Sequence, residues 1–549
     1  MPTLPRPWLL TCCLASLSAA ACVEPEPGDE AMPEDGVVVP EGKEDDFLSL
    51  SAYEYRVEGK TTVTLEPELA AAPAATKEAR VRELIGYKQI AIAWFLTEYL
   101  VDKERDEPNA SFGGFGGMAK GGAWEDLDVR AVDATTYEFT FRQIVAGGKS
   151  LMSALPLRTG AGGAKVFTLE IGRPTNAQLA QLETNHEWYR EAPYDAWDPA
   201  TVPAAQKEAL TMAIARETAS ADAWFDVDAL LADGKLDIDI HFGWDYHDAY
   251  HVKHARAMYS WLKTKGFTAP VSSFDKLTRT SGAFTRKLTA DGRQVTVAVR
   301  LFYGKAGSST DPDTDAGGKR LEDDMRASLA SRDVIVYSGH SGPFYGFALA
   351  NWRTTSEGDL DDAEMASVAM PAERYQVIVA EGCDTYQIGE AFRRNPAKPD
   401  GAFVDVITTT SFSDASTPAA VQDVITALIE RDSQGRLRPR TIKSLLGALD
   451  ANAAGFHTMY GIHGIDDNPA LHPFGVVENL CSECDANADC GGVGNLCVTI
   501  GDDGRRCAAA CTDDRGCPDG YACRAIASAS SSTIYGQACV PADLSCPLE

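Results

Sequence analysis

Cysteine placement divides this 549-residue chain before any periodicity is read. Of its 14 cysteines, Cys12, Cys13 and Cys22 lie in the first 22 residues, ten lie between Cys481 and Cys546, and Cys383 stands alone in the chain between. So dense a tail marks a small scaffold held by cross-links rather than by a large apolar core. Zinc is the competing use. Cys481 and Cys484 have knuckle spacing, but no second such pair follows and the tail has no histidine. Disulfides are therefore expected among Cys481, Cys484, Cys490, Cys497, Cys507, Cys511, Cys517, Cys523, Cys539 and Cys546, in a module spanning 481–549. Their pairing cannot be read from spacing.

The first 21 residues read as a secretory signal. One charge, Arg6, precedes an apolar run from Trp8 to Leu17 and then small residues, a stretch too short to span a bilayer. Ala19-Ala20-Ala21-Cys22 resembles a bacterial lipobox, which implies cleavage before Cys22 and lipid on its sulfur; cleavage after Ala21 by the ordinary route fits the same residues. Residues 22–47 are acidic and proline-rich, with Pro25, Pro27, Pro33 and Pro40, and read as a solvated tether. No later run is long and apolar enough to cross a membrane. The expected location is the cell envelope, on a lipid anchor, or the medium beyond it. The CPDGYAC stretch, Cys517 to Cys523, resembles cystine-rich tails of other secreted bacterial proteins.

Charge narrows the function classes. Fifty Lys and Arg against 80 Asp and Glu give a formal net charge of −30, which leaves no basic footprint for nucleic acid.

Residues 48–230 read as a β-rich accessory domain. Tyr53 to Leu65, Thr136 to Val145 and Lys165 to Ile171 alternate as strands do, and a helix is expected over Lys77 to Val101. The glycine-rich run starting at Phe112 lacks a Gly-Lys-Ser/Thr ending and reads as a loop.

Residues 231–475 read as an α/β domain on a parallel sheet. Strands are expected at Leu236 to Phe242, Phe403 to Thr409 and a hairpin around Asp291-Gly292; helices at Ala249 to Lys265, Leu321 to Leu329, Asp384 to Arg394 and Ala419 to Arg431. Two units repeat one design: Val334-Ile-Val-Tyr-Ser-Gly-His340 and Val377-Ile-Val-Ala-Glu-Gly-Cys383, each a β-branched run ending at glycine and a reactive side chain. Continuous apolar strands alternating with helices imply a parallel sheet covered on both faces, with sites at the carboxyl ends of its strands. His340 and Cys383 both fall at such ends. A thiol attacks as thiolate, and a nearby histidine or helix N-terminus lowers its pKa. Backbone N–H groups of Cys383 and of Ser341 or Gly342 are the candidates for holding an oxyanion.

The two strand-end units resemble the caspase–haemoglobinase fold, the clan of cysteine peptidases that includes caspases, legumains, clostripain and gingipains. In that clan a histidine follows one strand and the cysteine the next. The resemblance covers roughly residues 235–470 and implies Cys383 as nucleophile, His340 as its partner, protein or peptide substrates, an acyl-enzyme, and no metal or organic cofactor. Ser341 stands where the family usually has glycine, and Gly382 where alanine is commoner.

Two alternatives stay open. The same fold without turnover gives a surface binding lipoprotein. His247 and His251, four apart, with His254 three further on, have the spacing of zinc ligands on one helix face and give a metal-dependent hydrolase. Asp311, Asp313 and Asp315 before Gly317 resemble the start of a calcium loop, but the glycine is one place late and no glutamate falls at the twelfth position, so a solvated loop is expected.

Overall fold

Alternation builds the first sheet. In a computed structural model, which describes residues 47–96, 125–181, 188, 191–195, 197–245, 249–290, 292–342, 346–398, 401–414, 416–431, 437, 439–452, 458–469, 480–490, 495–501, 503–511, 517, 521–527 and 534–546, a two-residue strand β1 (Leu48–Ser49) precedes it. The signal, Cys22, the tether up to residue 46, the glycine-rich run and His247 all lie outside the described residues; Phe47, read as the tether's last residue, is buried. Strands β2 (Ala52–Thr64), β3 (Glu125–Ala131), β4 (Thr136–Gly148), β5 (Arg158–Thr159), β6 (Lys165–Gly172) and β7 (Lys207–Arg216) pair antiparallel in the order β3-β4-β2-β7-β6-β5. The helix Ala74–Phe95 packs on this sheet through Leu84, Ile85 and Ile90, and Phe95, Trp188, Tyr194 and Trp197 close one end in edge-on contacts.

The α/β region holds β8 (Lys235–Phe242), β9 (Phe284–Ala290), β10 (Arg293–Tyr303), β11 (Val334–Ser338), a small three-stranded sheet of β12 (Ser341–Gly342), β13 (Gly346–Ala348) and β14 (Asp359–Leu360), then β15 (Gln376–Glu381), β16 (Val404–Thr409) and β17 (Tyr460–His463). The central sheet has the order β1-β17-β16-β15-β11-β8-β10-β9. Strands β10, β8, β11, β15 and β16 are parallel. The expected parallel sheet is mixed at its margins, where β9, in the hairpin expected around Asp291-Gly292, and β17 and β1 run antiparallel. The physical reason at β9 is the tight turn at Gly292, whose φ is 71°: so short a connection joins only antiparallel neighbours.

Both faces of this sheet are covered, which is why its strands are apolar throughout. One face buries Ile238, Val336 and Val379 with helices Tyr250–Thr264, Ala419–Ile429 and Ile442–Ala451; the other buries Ile335, Tyr337 and Ile378 with Asp315–Leu329 and Tyr386–Arg393. Residues Asp45–Glu549 form one compact unit. Leu48 and Ser49, expected with the accessory domain, pair instead with Ile462 and Gly461 of β17. Gly461 makes room for this: a Cβ there would overlap the Phe47 ring.

The tail is a four-stranded sheet of β18 (Leu496–Thr499), β19 (Arg505–Ala510), β20 (Tyr521–Ala527) and β21 (Ile534–Pro541), in the order β18-β19-β21-β20. Five disulfides fix it: Cys481–Cys546, Cys484–Cys497, Cys490–Cys507, Cys511–Cys523 and Cys517–Cys539. Such density belongs to an oxidising, extracytoplasmic setting. Among the described residues no helix is long and apolar enough to cross a membrane. The Cys481–Cys546 bridge closes the longest loop, 65 residues apart. Replacing both by serine is expected to destabilise the module by about 4 kcal/mol, read as faster protease cleavage inside 481–546; unchanged cleavage would mean the closure contributes nothing.

Candidate active site

Strand register brings His340 and Cys383 to the ends of neighbouring strands. Strand β11 pairs with β15 from Val334 opposite Val377 to Ser338 opposite Glu381. His340 and Cys383 each come two residues after the last pair of this ladder. The turns after both strands are tied to each other. Gly339 donates its N–H to the Glu381 carbonyl at 3.1 Å, and the Ser341 hydroxyl donates to the Cys383 carbonyl at 2.9 Å. Gly382 allows the approach, because a Cβ there would strike Ser341 Oγ and the Gly339 carbonyl. Asp384 takes a left-handed turn with φ 49°, and the helix Tyr386–Arg393 starts two residues later.

The histidine has a carboxylate behind it. His340 Nε2 lies 3.0 Å from Asp245 Oδ1, with the Asp245 side chain 5% exposed. Asp245 follows the C-terminal end of β8, the parallel neighbour of β11. An ionised carboxylate only accepts, so this contact puts the imidazole proton on Nε2 and leaves a lone pair on Nδ1. The second Asp245 oxygen accepts the Tyr250 N–H at 3.3 Å, which fixes the carboxylate. Tyr337 donates its hydroxyl to the His340 carbonyl, and Trp352 stands edge-on to the imidazole at 6.0 Å.

The cysteine is the one free thiol among the described residues and is partly exposed. A lowered thiol pKa was expected from the helix that follows. The reverse is found: burial of the sulfur, with the Asp384 and Glu381 carboxylates adding to it, pushes the thiol up to about 12. The backbone N–H and hydroxyl of Ser413 oppose that rise without overcoming it. Ser413 and Asp414 follow the end of β16, and Tyr460 of β17 faces the same groups. Glu381, 6% exposed, accepts a hydrogen bond from the Ser338 hydroxyl at 2.5 Å, and burial pushes its carboxyl up to about 7.

Ser341 and Gly342, the candidate oxyanion donors, form β12 and pair with Phe347 and Gly346, with Ser341 only 3% exposed. The Ser341 hydroxyl donates to the Cys383 carbonyl.

Of the three histidines of the alternative metal site, His247 lies outside the described residues. His251 Nδ1 accepts the Asp245 N–H at 3.2 Å, and burial pushes its pKa down to about 4. His254 stacks on Tyr250 at 5.5 Å, and its pKa is also lowered by burial. Among the described residues the only clusters spaced for a metal are Cys484, Cys490 and Cys497, and Cys511, Cys517 and Cys539, all of them committed to disulfides. The aspartates that resembled a calcium loop serve the chain itself. Asp311 accepts the Gly307 N–H at 2.7 Å, Asp313 accepts from Asn351 at 2.5 Å, and Asp315 accepts from Thr355 at 2.7 Å and the Ser356 N–H at 3.0 Å.

Sequence reasoning passed over Asp245, Glu381 and Ser413. One signal was present: all three, like His340 and Cys383, lie at or just past the carboxyl ends of parallel strands. No protein-family model, no curated protein and no solved structure matches this chain.

Proposed function

We propose that this protein is an exported cysteine peptidase on a caspase–haemoglobinase-like fold, carried on the cell envelope by lipid at Cys22, and that it cleaves peptide bonds through an acyl-enzyme on Cys383. The observation that supports this most is the matched position of His340 and Cys383, two residues past paired strand ends, with Asp245 on the imidazole Nε2. His340 Nδ1 takes the thiol proton as sulfur bonds to the scissile carbonyl carbon and the carbonyl π pair moves to oxygen. Collapse of that adduct breaks the C–N bond, and the imidazolium returns the proton to the leaving amine. Water, deprotonated by the same imidazole, then hydrolyses the thioester and restores the thiol. Backbone N–H groups at Cys383 and at Ser341 or Gly342 hold the oxyanion in this reading. The partners are protein or peptide substrates, and the steps above need no metal or organic cofactor.

The deciding experiment is labelling of the purified mature protein by peptide warheads bearing Arg, Lys, Asn or Asp at the recognition position. Labelling is expected to prefer one warhead, to vanish in Cys383→Ala and to slow in His340→Ala. Equal, weak labelling by every warhead would overturn the peptidase reading. It would leave the second one, a surface binding lipoprotein on the same fold, which the thiol held near 12 favours.

A further inference from the structure

Two wholly buried threonines pin the turn that carries Cys383. Thr409, the last residue of β16, donates its hydroxyl to the Gly382 carbonyl at 2.5 Å. Thr385 donates its hydroxyl to the Ala380 carbonyl at 2.7 Å and accepts the Thr409 N–H at 2.8 Å. A carbonyl only accepts, so both hydroxyl protons are assigned. Past the end of β15 the backbone carbonyls turn alternately to its two neighbours. The Glu381 carbonyl turns to the β11 side and accepts the Gly339 N–H at 3.1 Å; the Gly382 carbonyl turns to Thr409; the Cys383 carbonyl turns back to the Ser341 hydroxyl at 2.9 Å. In a trans peptide the N–H runs antiparallel to the carbonyl of the same unit. The Asp384 N–H follows this rule, meeting the Ser411 carbonyl beyond β16 at 3.1 Å, opposite the Cys383 carbonyl. The Gly382–Cys383 unit is trans too. With its carbonyl held at Thr409, its N–H faces the β11 side, where His340 and Ser341 follow the strand. Among the described residues no group accepts that Cys383 N–H.

We propose that Thr409 is a positioning residue for the oxyanion: by holding the Gly382 carbonyl it keeps the Cys383 N–H turned to the His340 side, ready for the oxygen of a carbonyl group that the sulfur attacks. This rests on Cys383 as the nucleophile. A peptide unit that follows glycine has a soft torsion on one side, so its plane needs an external hold. The Thr409 hydroxyl supplies it. A donor fixed in advance stabilises the developing charge more than one that must first be turned toward it. Thr385 assists, because its oxygen accepts the Thr409 N–H and lies 3.2 Å from Thr409 Oγ1, and its own N–H reaches that oxygen at 3.4 Å.

Two small reagents separate this role from folding and from peptide recognition. Iodoacetamide is attacked at a saturated carbon, loses iodide and forms no oxyanion. p-Nitrophenyl acetate is attacked at its carbonyl carbon: sulfur bonds to carbon, the π pair moves to oxygen, and collapse expels p-nitrophenolate and leaves an acetyl thioester. Both rates at Cys383 are measured in the full mature chain as the difference from Cys383→Ala, with melting temperature confirming the fold of each variant. Thr409→Val keeps the shape and removes the hydroxyl. It is expected to slow acylation about 10²-fold while alkylation changes by less than about twofold. Thr409→Ser is expected to restore acylation to within about threefold of wild type, because the donor is back. Equal slowing of both reactions would reduce Thr409 to a structural residue and overturn the proposal, as would unchanged acylation. A wild type whose ratio of acylation to alkylation is no higher than that of free cysteine would overturn it as well. Should Thr409→Val not fold, Thr385→Val is expected to lower that ratio about tenfold, and an unchanged ratio there overturns the proposal. Neither reagent carries a recognition residue, so failure of warhead labelling leaves this result readable, and failure here leaves that labelling standing.

Discussion

Asp245→Asn is expected to lower kcat for a cleaved peptide by about 10³- to 10⁴-fold while KM stays within twofold. The carboxylate accepts from His340 Nε2 and from the Tyr250 N–H. An asparagine keeps the shape but has one acceptor for two donors, so its amide N–H₂ can turn to the imidazole. That stabilises the wrong tautomer, with the proton on Nδ1 and no base facing the sulfur. Steady-state kinetics on the warhead-derived peptide separates the two parameters. A loss confined to KM would make Asp245 a wall of the substrate cleft. No loss at all would remove it from the chemistry.

A second large effect is expected far from the cleft. Asp239 is 1% exposed in the middle of β8, where it accepts from Arg300 Nε at 2.8 Å, from Arg332 Nε at 3.1 Å and from the Ser328 hydroxyl at 2.7 Å. Ser328 in turn meets His241 Nε2 at 2.9 Å. Serine, histidine and aspartate are all present there, yet His241 is 1% exposed and Ser328 wholly buried, so no substrate reaches them. Their role is to satisfy charge. Asp239→Asn leaves two guanidinium groups short of a counter-charge and is expected to cost about 3–5 kcal/mol. The melting temperature should fall by about 3–5 °C. The control is Asp228→Asn, whose partner Arg293 lies 3.4 Å away on an exposed surface, expected to change stability by less than about 0.5 kcal/mol. Equal shifts in the two variants would show that burial adds nothing to the Asp239 network.

What could be read in advance follows physical lines. The runs at Val334–Ser338, Gln376–Glu381 and Val404–Thr409 were legible because strands buried on both faces must be apolar throughout. The order of His340 and Cys383 was legible because their spacing equals the strand register. The helix expected from Leu321 begins at Asp315, six residues earlier. Gly317 and Gly318 hid those turns by their low helix propensity. They are needed because a Cβ on either would strike the backbone of Asp311 or Glu357, and Thr314 caps the start through the Gly317 N–H. Asp245 was not legible because its link to His340 spans 95 residues and rests on the adjacency of β8 and β11. The raised thiol pKa was hidden for the same kind of reason: spacing places Cys383 before a helix, but enclosure of its sulfur is set by residues from other strands.

The short strand β1 has a consequence for self-association. An open margin of a sheet is a template on which another copy's strand can grow. Here β17 carries β1 on its outer side, with Ser49 Oγ donating to the Tyr460 carbonyl at 2.6 Å and Phe47 seated over Gly461. At the opposite margin, Thr268 exchanges hydrogen bonds with Thr285 of β9, and Leu437 donates to the Thr289 carbonyl. Each margin is closed by the protein's own backbone. Fibre growth by strand addition would first have to peel residues 47–49 away, so these residues act as a stopper that keeps a long, apolar, eight-stranded sheet finite.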